Sequence, residues 1–214
     1  MYQPSHFKEE SIDALHALMQ AYPFATLVTN KDCLLDANHL PFELDQTSGE
    51  LGMLRAHVAR GNPLFQSVEN VQEVLIIFNG PHGYISPSWY PSKQEHHRQV
   101  PTWNYEVVHA HGTLQFVDDE RFVRGIVARL TRQHEAQEQN PWRMTDAPPE
   151  FLSEMLAAIV GIEITITRLE GKRKLSQNKS IEDRWSAAAA LIKRGNPSLA
   201  SSMVDTIPKS TATR

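Results

Sequence analysis

Residues 74–90 read VLIIFNGPHGYISPSWY, and this stretch decides the expected fold. Its first part, 74–79, is a short apolar run of the kind that forms a fully buried strand. Residues 80–83 contain two glycines and a proline and predict a turn that ends this strand. Residues 84–90 predict another extended segment. The stretch therefore predicts two consecutive strands of a β-rich domain.

Further strands are predicted on both sides of this stretch. They are bounded by turn signals at short intervals, and they lie at 24–29, 33–44, 51–58 and 100–117. The last of these is expected to bend or break near Gly112. Residues 162–169 alternate apolar and polar side chains, which predicts a half-buried strand that rejoins the sheet. Short strands joined by short turns are typical of a small barrel.

Helical periodicity predicts helices beside these strands, at 118–137, 148–160 and 180–194. Gly161 is expected to end the second of them. That helix has an apolar face that is expected to be buried, made of Phe151, Leu152, Met155, Leu156, Ile159 and Val160. The chain is therefore predicted to be α+β, mainly β, with one domain over 1–195. Residues 196–214 are rich in Ser and Thr and are predicted to form a disordered tail.

The composition argues against several classes of protein. The chain has 214 residues, with 21 Lys and Arg against 25 Asp and Glu, and a net charge of −4. Proteins that bind nucleic acid usually carry a basic excess, so the charge gives DNA binding no support. The single cysteine, Cys33, excludes an internal disulfide and a Cys-based zinc site, and its apolar surroundings predict a small buried side chain.

Membrane insertion and secretion are not expected either. The longest aliphatic or aromatic run, 74–78, is too short to span a bilayer. The sequence shows no basic region followed by an apolar stretch near its start, so no signal peptide is visible. We therefore expect a cytoplasmic protein with no membrane partner.

Five segments carry more amide, hydroxyl, cationic and aromatic side chains than a barrel core requires. They contain no Gly-x-Ser-x-Gly elbow, phosphate-binding Gly-rich loop or His-Glu-x-x-His motif, so no catalytic residue is assigned. The mixture suits a flat heteroaromatic ligand with a phosphate, such as FMN. Such a ligand needs an aromatic face, amide donors along its polar edge and a cation on its phosphate. The segments are 37–41, 57–63, 84–90, 100–105 and 171–178.

The sequence resembles the PaiB-like family, described as FMN-binding negative transcriptional regulators with a split β-barrel fold. The likeness covers roughly residues 1–184 in family order. One departure lies in the last helix, where 185–188 (WSAA) replaces a segment expected to contain glycine. The matching stretches are MYQP (1–4), HVARGNP (57–63), GPHGYISPSWY (80–90), VPTWNY (100–105), NPW (140–142), IVGIEI (159–164) and GKRKLSQN (171–178).

The resemblance implies a homodimer with FMN at the interface of its two split barrels. On this hypothesis Arg60 binds the flavin phosphate, and His57 lies in or near the same site. The other implied cofactor-binding residues form three groups. The edge of the flavin ring is expected to meet Asn38, His39 and Leu40. A neighbouring strand is expected to supply Thr102, Trp103 and Asn104. The partner subunit is expected to supply Lys174, Gln177 and Asn178.

Ordinary structural roles for these residues remain open. Arg60 could be a solvated charge at a strand end, and His57 and Trp103 could be ordinary core residues. His109 and His111 share one strand face, but no third ligand of fitting spacing is evident, so no metal is assigned.

The functional class is also left open. A small FMN-dependent oxidoreductase or flavin reductase is the alternative to a regulator, because the flavin itself can carry hydride chemistry. A haem-binding split-barrel protein is the third hypothesis. DNA stays a candidate partner that the net charge does not support.

Overall fold

The computed structural model describes residues 1–67 and 71–208, and its main element is an eight-stranded sheet. The strands are β1 (Lys8–Glu9), β2 (Phe24–Lys31), β3 (Leu34–Pro41), β4 (Glu43–Asp45), β5 (Met53–Ala59), β6 (Gln72–Ile85), β7 (Thr102–Val117) and β8 (Ile159–Lys174). Their order in the sheet is β3-β2-β6-β7-β8-β5-β4, and β1 pairs with β8.

Helices flank this sheet. They are α1 (Ile12–Ala21), α2 (Pro63–Ser67), α3 (Ser92–His96), α4 (Glu120–Glu135), α5 (Pro149–Ala157), α6 (Ile181–Lys193) and α7 (Pro197–Asp205). The prediction of an α+β protein that is mainly β is confirmed. No helix in the described part of the chain is both long and apolar enough to cross a membrane.

The chain divides into two compact units. The first unit consists of Met1–Ser11, Asn79–Val108 and Glu170–Arg214, and the second of Ile12–Phe78 and His109–Leu169. The strands β6, β7 and β8 each supply residues to both. That residues 1–195 make one domain stays a prediction.

The second unit is built on antiparallel pairs whose register places alternate side chains in its core. β2 pairs with β3 from Phe24 opposite Pro41 to Lys31 opposite Leu34, and β5 pairs with β8. Because side chains alternate between the faces of a strand, every second residue is buried along β5 and the first part of β2. The fully buried positions include Leu27, Leu54, Ile76, Ile162 and Ile164.

The first unit has its own apolar cluster, in which strand ends pack on α6 and α7. Its buried members are Ile85, Tyr90, Leu175, Ala187, Ala188, Leu191, Leu199, Ala200 and Met203. At about 25 cal/mol per Å² of apolar surface, burial on this scale holds two short helices that would be marginal in isolation.

The helix α7 corrects the prediction of a disordered tail over 196–214. The Asn196 side chain accepts a hydrogen bond from the Leu199 N–H at 3.3 Å, which caps the helix at its start. Near its end, the Arg184 guanidinium donates to the Met203 carbonyl at 3.3 Å. The Ser-rich composition predicted disorder, whereas these residues form a capped amphipathic helix. Residues 209–214 lie outside the described residues.

The predicted helix over 148–160 is also corrected, because α5 ends at Ala157 and β8 begins at Ile159. Gly161 is therefore a strand residue opposite His57 and not a helix stop. A Cβ on Gly161 would lie 2.5 Å from the Phe122 ring, so close packing requires the glycine. Two residues of the predicted buried face are exposed, Phe151 and Met155.

Four more local predictions are wrong. Residues 80–83 do not end a strand, because β6 continues through them, and β7 is continuous at Gly112. The predicted strand over 33–44 is divided into β3 and β4. Cys33 is exposed, in a turn where its φ is +65°, because the hairpin between β2 and β3 reverses there.

Candidate functional site

Four aromatic rings of the first unit lie side by side, and we call them the aromatic shelf: His82, Tyr84, Trp89 and Trp103. The His82 and Trp103 rings are stacked with centroids 5.9 Å apart, and the Trp103 indole N–H donates to His82 Nδ1 at 3.3 Å. Tyr84 lies edge-on to both tryptophans, at 6.4 and 6.5 Å. Tyr84 and Trp103 remain 47% and 49% exposed, which is unusual for large aromatic side chains.

The local sequence explains how the shelf forms. His82 and Tyr84 are two residues apart on β6, so they project from the same face of the strand. Trp89 follows in a 3₁₀ turn that Ser86 caps by accepting from the Ser88 N–H at 3.2 Å. The Arg194 guanidinium lies 5.1 Å from the centroid of the Trp89 ring. The sequence analysis included Tyr84 in the segment 84–90 but assigned neither His82 nor Tyr84 to the cofactor, although the HGY spacing in 82–84 is the signal that could have identified them.

Lys174 lies beside the shelf without a counter-ion. Its ammonium donates to Thr102 Oγ1 and to the Trp103 carbonyl oxygen, both at 2.5 Å, and no carboxylate pairs with it among residues 1–67 and 71–208. Burial lowers the pKa of Lys174, and the positive charges of Lys172 and Lys179 lower it further. A half-buried cation with only neutral oxygen partners would be stabilised by an anionic ligand.

Asn104 lies beneath this surface in a buried polar network. Its Nδ2 donates to Ser176 Oγ at 2.9 Å, and Ser176 Oγ also bonds the Tyr90 hydroxyl at 2.9 Å. Asn104 is 1% exposed, and its Oδ1 has no hydrogen-bond partner in the described structure. The network fixes the position of the Asn104 side chain. Its direct contact with a ligand, which the resemblance implies, stays a prediction.

The other two predicted residues of this unit differ in their surroundings. Gln177 closes the turn after β8: its Oε1 accepts from the Leu175 N–H at 2.7 Å and its Nε2 donates to the Arg173 carbonyl at 2.5 Å. Asn178 is exposed to solvent. Lys174 contacts Thr102 and Trp103 of its own chain. That Lys174, Gln177 and Asn178 serve a partner's cofactor stays a prediction.

The remaining predicted residues belong to the second unit, where one hydrogen bond joins two of the motifs. Asn62 Nδ2 donates to Asn38 Oδ1 at 2.9 Å, while Asn62 Oδ1 accepts from the Leu64 N–H and begins α2. Asn38 is thereby tied to the turn that follows Arg60. Along β3, His39 is exposed and Leu40 is buried.

Arg60 is fully engaged by its own chain. Its two terminal nitrogens bond both carboxylate oxygens of Asp118, at 2.6 and 2.7 Å, and Nε donates to the Ala157 carbonyl at 2.9 Å. The hydrogen bonds raise the pKa of Arg60 and lower the pKa of Asp118. A phosphate on Arg60 would have to replace Asp118, which is the matching bidentate anion.

His57 lies in the middle of the β5–β8 pair. Its Nδ1 is buried without a hydrogen-bond partner among the described residues. Burial lowers the pKa of His57, so the ring is neutral at pH 7. It can therefore donate or accept a hydrogen bond but supplies no charge to a phosphate.

The first unit offers a flavin an aromatic surface and a cation, whereas the cation of Arg60 is already paired with Asp118. The shelf offers exposed aromatic faces on which a planar ring can stack. Lys174 offers a positive charge that no side chain of the described residues neutralises. The residues present therefore fit FMN through the aromatic shelf and Lys174.

Comparisons with known proteins agree with this chemistry. Residues 1–168 match the family model described as "Putative FMN-binding domain". The chain is 31% identical over 197 residues to "Protease synthase and sporulation protein PAI 2" of Bacillus subtilis, covering 92% of each chain. It is 34% identical to an uncharacterized Emericella nidulans protein, AN0679, covering 86% of this chain and 87% of that one.

Solved structures share the fold at low identity. The FAD and heme binding protein of Mycobacterium smegmatis has a TM-score of 0.59 at 16% identity, covering 82% of this chain and 78% of that one. The flavocytochrome Anf3 of Azotobacter vinelandii has a TM-score of 0.58 at 14% identity, covering 83% and 74%. The predicted split-barrel fold and the predicted cofactor are confirmed. The chain belongs to the PaiB-like family of FMN-binding split-barrel proteins.

Proposed function

We propose that the chain is a cytoplasmic, homodimeric FMN protein that acts as a negative regulator of transcription, with the flavin at the dimer interface. The observation that carries the cofactor half is the ammonium of Lys174, which no described carboxylate neutralises, beside the exposed side chain of Trp103. The family membership supports the regulatory half. When bound, FMN supplies electron and hydride transfer. The aromatic shelf would stack on the flavin ring, and Lys174 would neutralise negative charge on the cofactor.

The cofactor and the assembly can be tested together. Titration of the purified protein into FMN is expected to quench the flavin fluorescence with one FMN per chain. Sedimentation at the same concentrations is expected to give twice the mass of 24.2 kDa. Unchanged fluorescence would refute the flavin site, and a monomer that binds FMN at full stoichiometry would refute the interface.

The regulatory half is tested by mobility shift on promoter DNA at several salt concentrations. Two of the three cations in the basic segment 172–174 are not available as DNA contacts, because Lys172 is buried and Arg173 is paired with Glu106 at 2.5 Å. We therefore expect no salt-dependent shift from this segment. A shift that Lys172→Ala and Arg173→Ala both abolish, in variants that still bind FMN, would contradict this expectation.

An oxidoreductase is the second candidate, and Lys174 favours it. A cation beside the flavin would stabilise the negative charge that FMN gains on reduction. Rapid bleaching of bound FMN by NADPH or NADH, followed by turnover, would establish this activity. A haem-binding role stays a prediction, and a Soret band on haem addition is its test.

Replacing Asp118 with asparagine tests the predicted role of Arg60. Asparagine keeps the shape but removes the carboxylate that competes for the guanidinium. If Arg60 holds the phosphate, Asp118→Asn should tighten FMN binding about 5-fold, which corresponds to about 1 kcal/mol. Riboflavin, which lacks the phosphate, serves as the control ligand, and its affinity should not change. Equal changes for FMN and riboflavin would show that Arg60 does not bind the phosphate.

A further inference from the structure

A cavity that is separate from the aromatic shelf lies in the second unit, at the C-terminal half of α4. It has a volume of about 640 Å³, within the range of small-molecule sites. Helix α4 and the segment 141–145 form its walls. Its lining includes Ala128, Thr131, Arg132, Glu135, Trp142 and Arg143. None of these is among the predicted cofactor-binding residues.

Two guanidinium groups give this cavity a positive character. Arg132 and Arg143 both line it, and within the described ranges 1–67 and 71–208 neither side chain forms an ion pair with a carboxylate. The one acidic residue of the lining, Glu135, is already engaged, because its Oε2 accepts from the Trp142 N–H at 2.8 Å. The cavity therefore offers two cations and at most one partly engaged anion.

The segment that carries Trp142 is held by two hydrogen bonds from its backbone. Glu135 fixes the backbone of Trp142, and Asp146 accepts from the Arg143 N–H at 2.9 Å. Trp142 is nevertheless 43% exposed, so its ring presents an open face. Because the backbone is already ordered, a ligand that stacks here loses little additional conformational entropy. An exposed tryptophan and two arginines in the lining of one cavity make a suitable surface for a planar anion.

We propose that this cavity binds a small organic anion that combines a planar ring with a phosphate or carboxylate, of the size of a nucleoside monophosphate. Trp142 stacks on the ring, and Arg132 and Arg143 bind the anionic group. The wall of the cavity includes residues of the NPW motif at 140–142, which the proposed flavin site does not use.

The test uses AMP as the probe, titrated calorimetrically into the protein with and without saturating FMN. We expect AMP to bind in both cases, with adenosine and inorganic phosphate each at least 10-fold weaker, because each carries only half of the recognised chemistry. Loss of AMP binding in the presence of FMN would show that the cavity is part of the flavin site and would overturn the proposal. FMN titration of the same samples reports the proposed flavin site separately.

Matched variants locate the AMP site. Trp142→Ala and the double variant Arg132→Ala, Arg143→Ala are each expected to weaken AMP at least 10-fold. Trp185→Ala removes another half-exposed tryptophan, and Arg121→Ala removes another exposed arginine of α4, so both should leave AMP binding unchanged. Unchanged melting temperatures establish that the variants fold. Absent AMP binding, or equal losses in test and control variants, would overturn the proposal.

Discussion

Replacing Lys174 with methionine is expected to weaken FMN binding at least 30-fold and to raise the melting temperature of the flavin-free protein by about 2 °C. The two effects have one cause. In the free protein the ammonium is half-buried, and within residues 1–67 and 71–208 it donates only to Thr102 Oγ1 and the Trp103 carbonyl. Methionine keeps the aliphatic stem and removes the desolvated charge, which stabilises the fold but leaves the anion of FMN without its partner.

The binding loss follows from charge-assisted hydrogen bonds. Removing a charged donor from a bound anion typically costs about 2 kcal/mol, which is about a 30-fold change in affinity. Trp103→Ala should also weaken FMN, by about 1 kcal/mol or 5-fold, because stacking contributes less than the charged contact. The loss of Trp103 should weaken riboflavin and FMN equally, and in this the Trp103 variant should differ from the Lys174 variant.

The lowered pKa of Lys174 gives this prediction a pH signature. The folded protein holds this pKa below that of the unfolded chain, because burial and the neighbouring lysines disfavour the charge. Between the two values the unfolded chain binds more protons, so the free energy of unfolding rises with pH across that interval. Lys174→Met should lack this rise. FMN affinity should instead fall as pH increases through the Lys174 pKa, because the ammonium is lost.

Lys193→Met is the control, since it removes an exposed charge from α6 in the same unit. Its FMN affinity, measured by fluorescence quenching, should lie within 2-fold of the parent protein. Its melting temperature should not rise. If both variants weaken FMN equally, the effect is one of net charge, and Lys174 has no special role. A large loss of stability in Lys174→Met would instead make it a structural residue.

The regular parts of the fold could be predicted from local pattern. Short runs bounded by turn signals predicted β2, β5 and β7, and the apolar residues Val123, Ile126 and Leu130 on α4 are buried as their helical spacing requires. Local pattern failed where long-range packing decides the backbone. Residues 159–160 continue an apolar helical stripe in the sequence, yet their partners in β5 place them in a strand.

The candidate site shows the same division. Tryptophans and a cationic segment could be recognised from the sequence, and they point to a planar anionic ligand. The partners could not be recognised. The sequence around Arg60 does not indicate that its guanidinium forms an ion pair with Asp118, 58 residues further along the chain. Nor does the segment 172–174 show that Lys172 and Arg173 form internal contacts, while Lys174 has no anionic partner in the part of the chain that the structure describes.

Replacing Gly112 with alanine is expected to destabilise the second unit by at least 3 kcal/mol, a loss that lowers the melting temperature by about 8 °C or more. A glycine inside a strand would ordinarily weaken it, which is why a break was predicted there. In the structure β7 continues through Gly112 because β8 approaches it closely. A Cβ at this position would overlap the Thr165 carbonyl oxygen and lie 2.7 Å from Ile164 Cγ2.

The clash cannot be relieved by a side-chain rotation alone, since the Thr165 oxygen belongs to the backbone of the neighbouring strand. Gly61→Ala is the matched control: nothing lies within 4 Å of its Cβ position, and its φ is not positive. It should change the free energy of unfolding by no more than about 0.5 kcal/mol. Urea denaturation of both variants measures the difference. Equal stabilities would mean that the strands separate easily at Gly112, and the close approach would then have no part in holding β7 against β8.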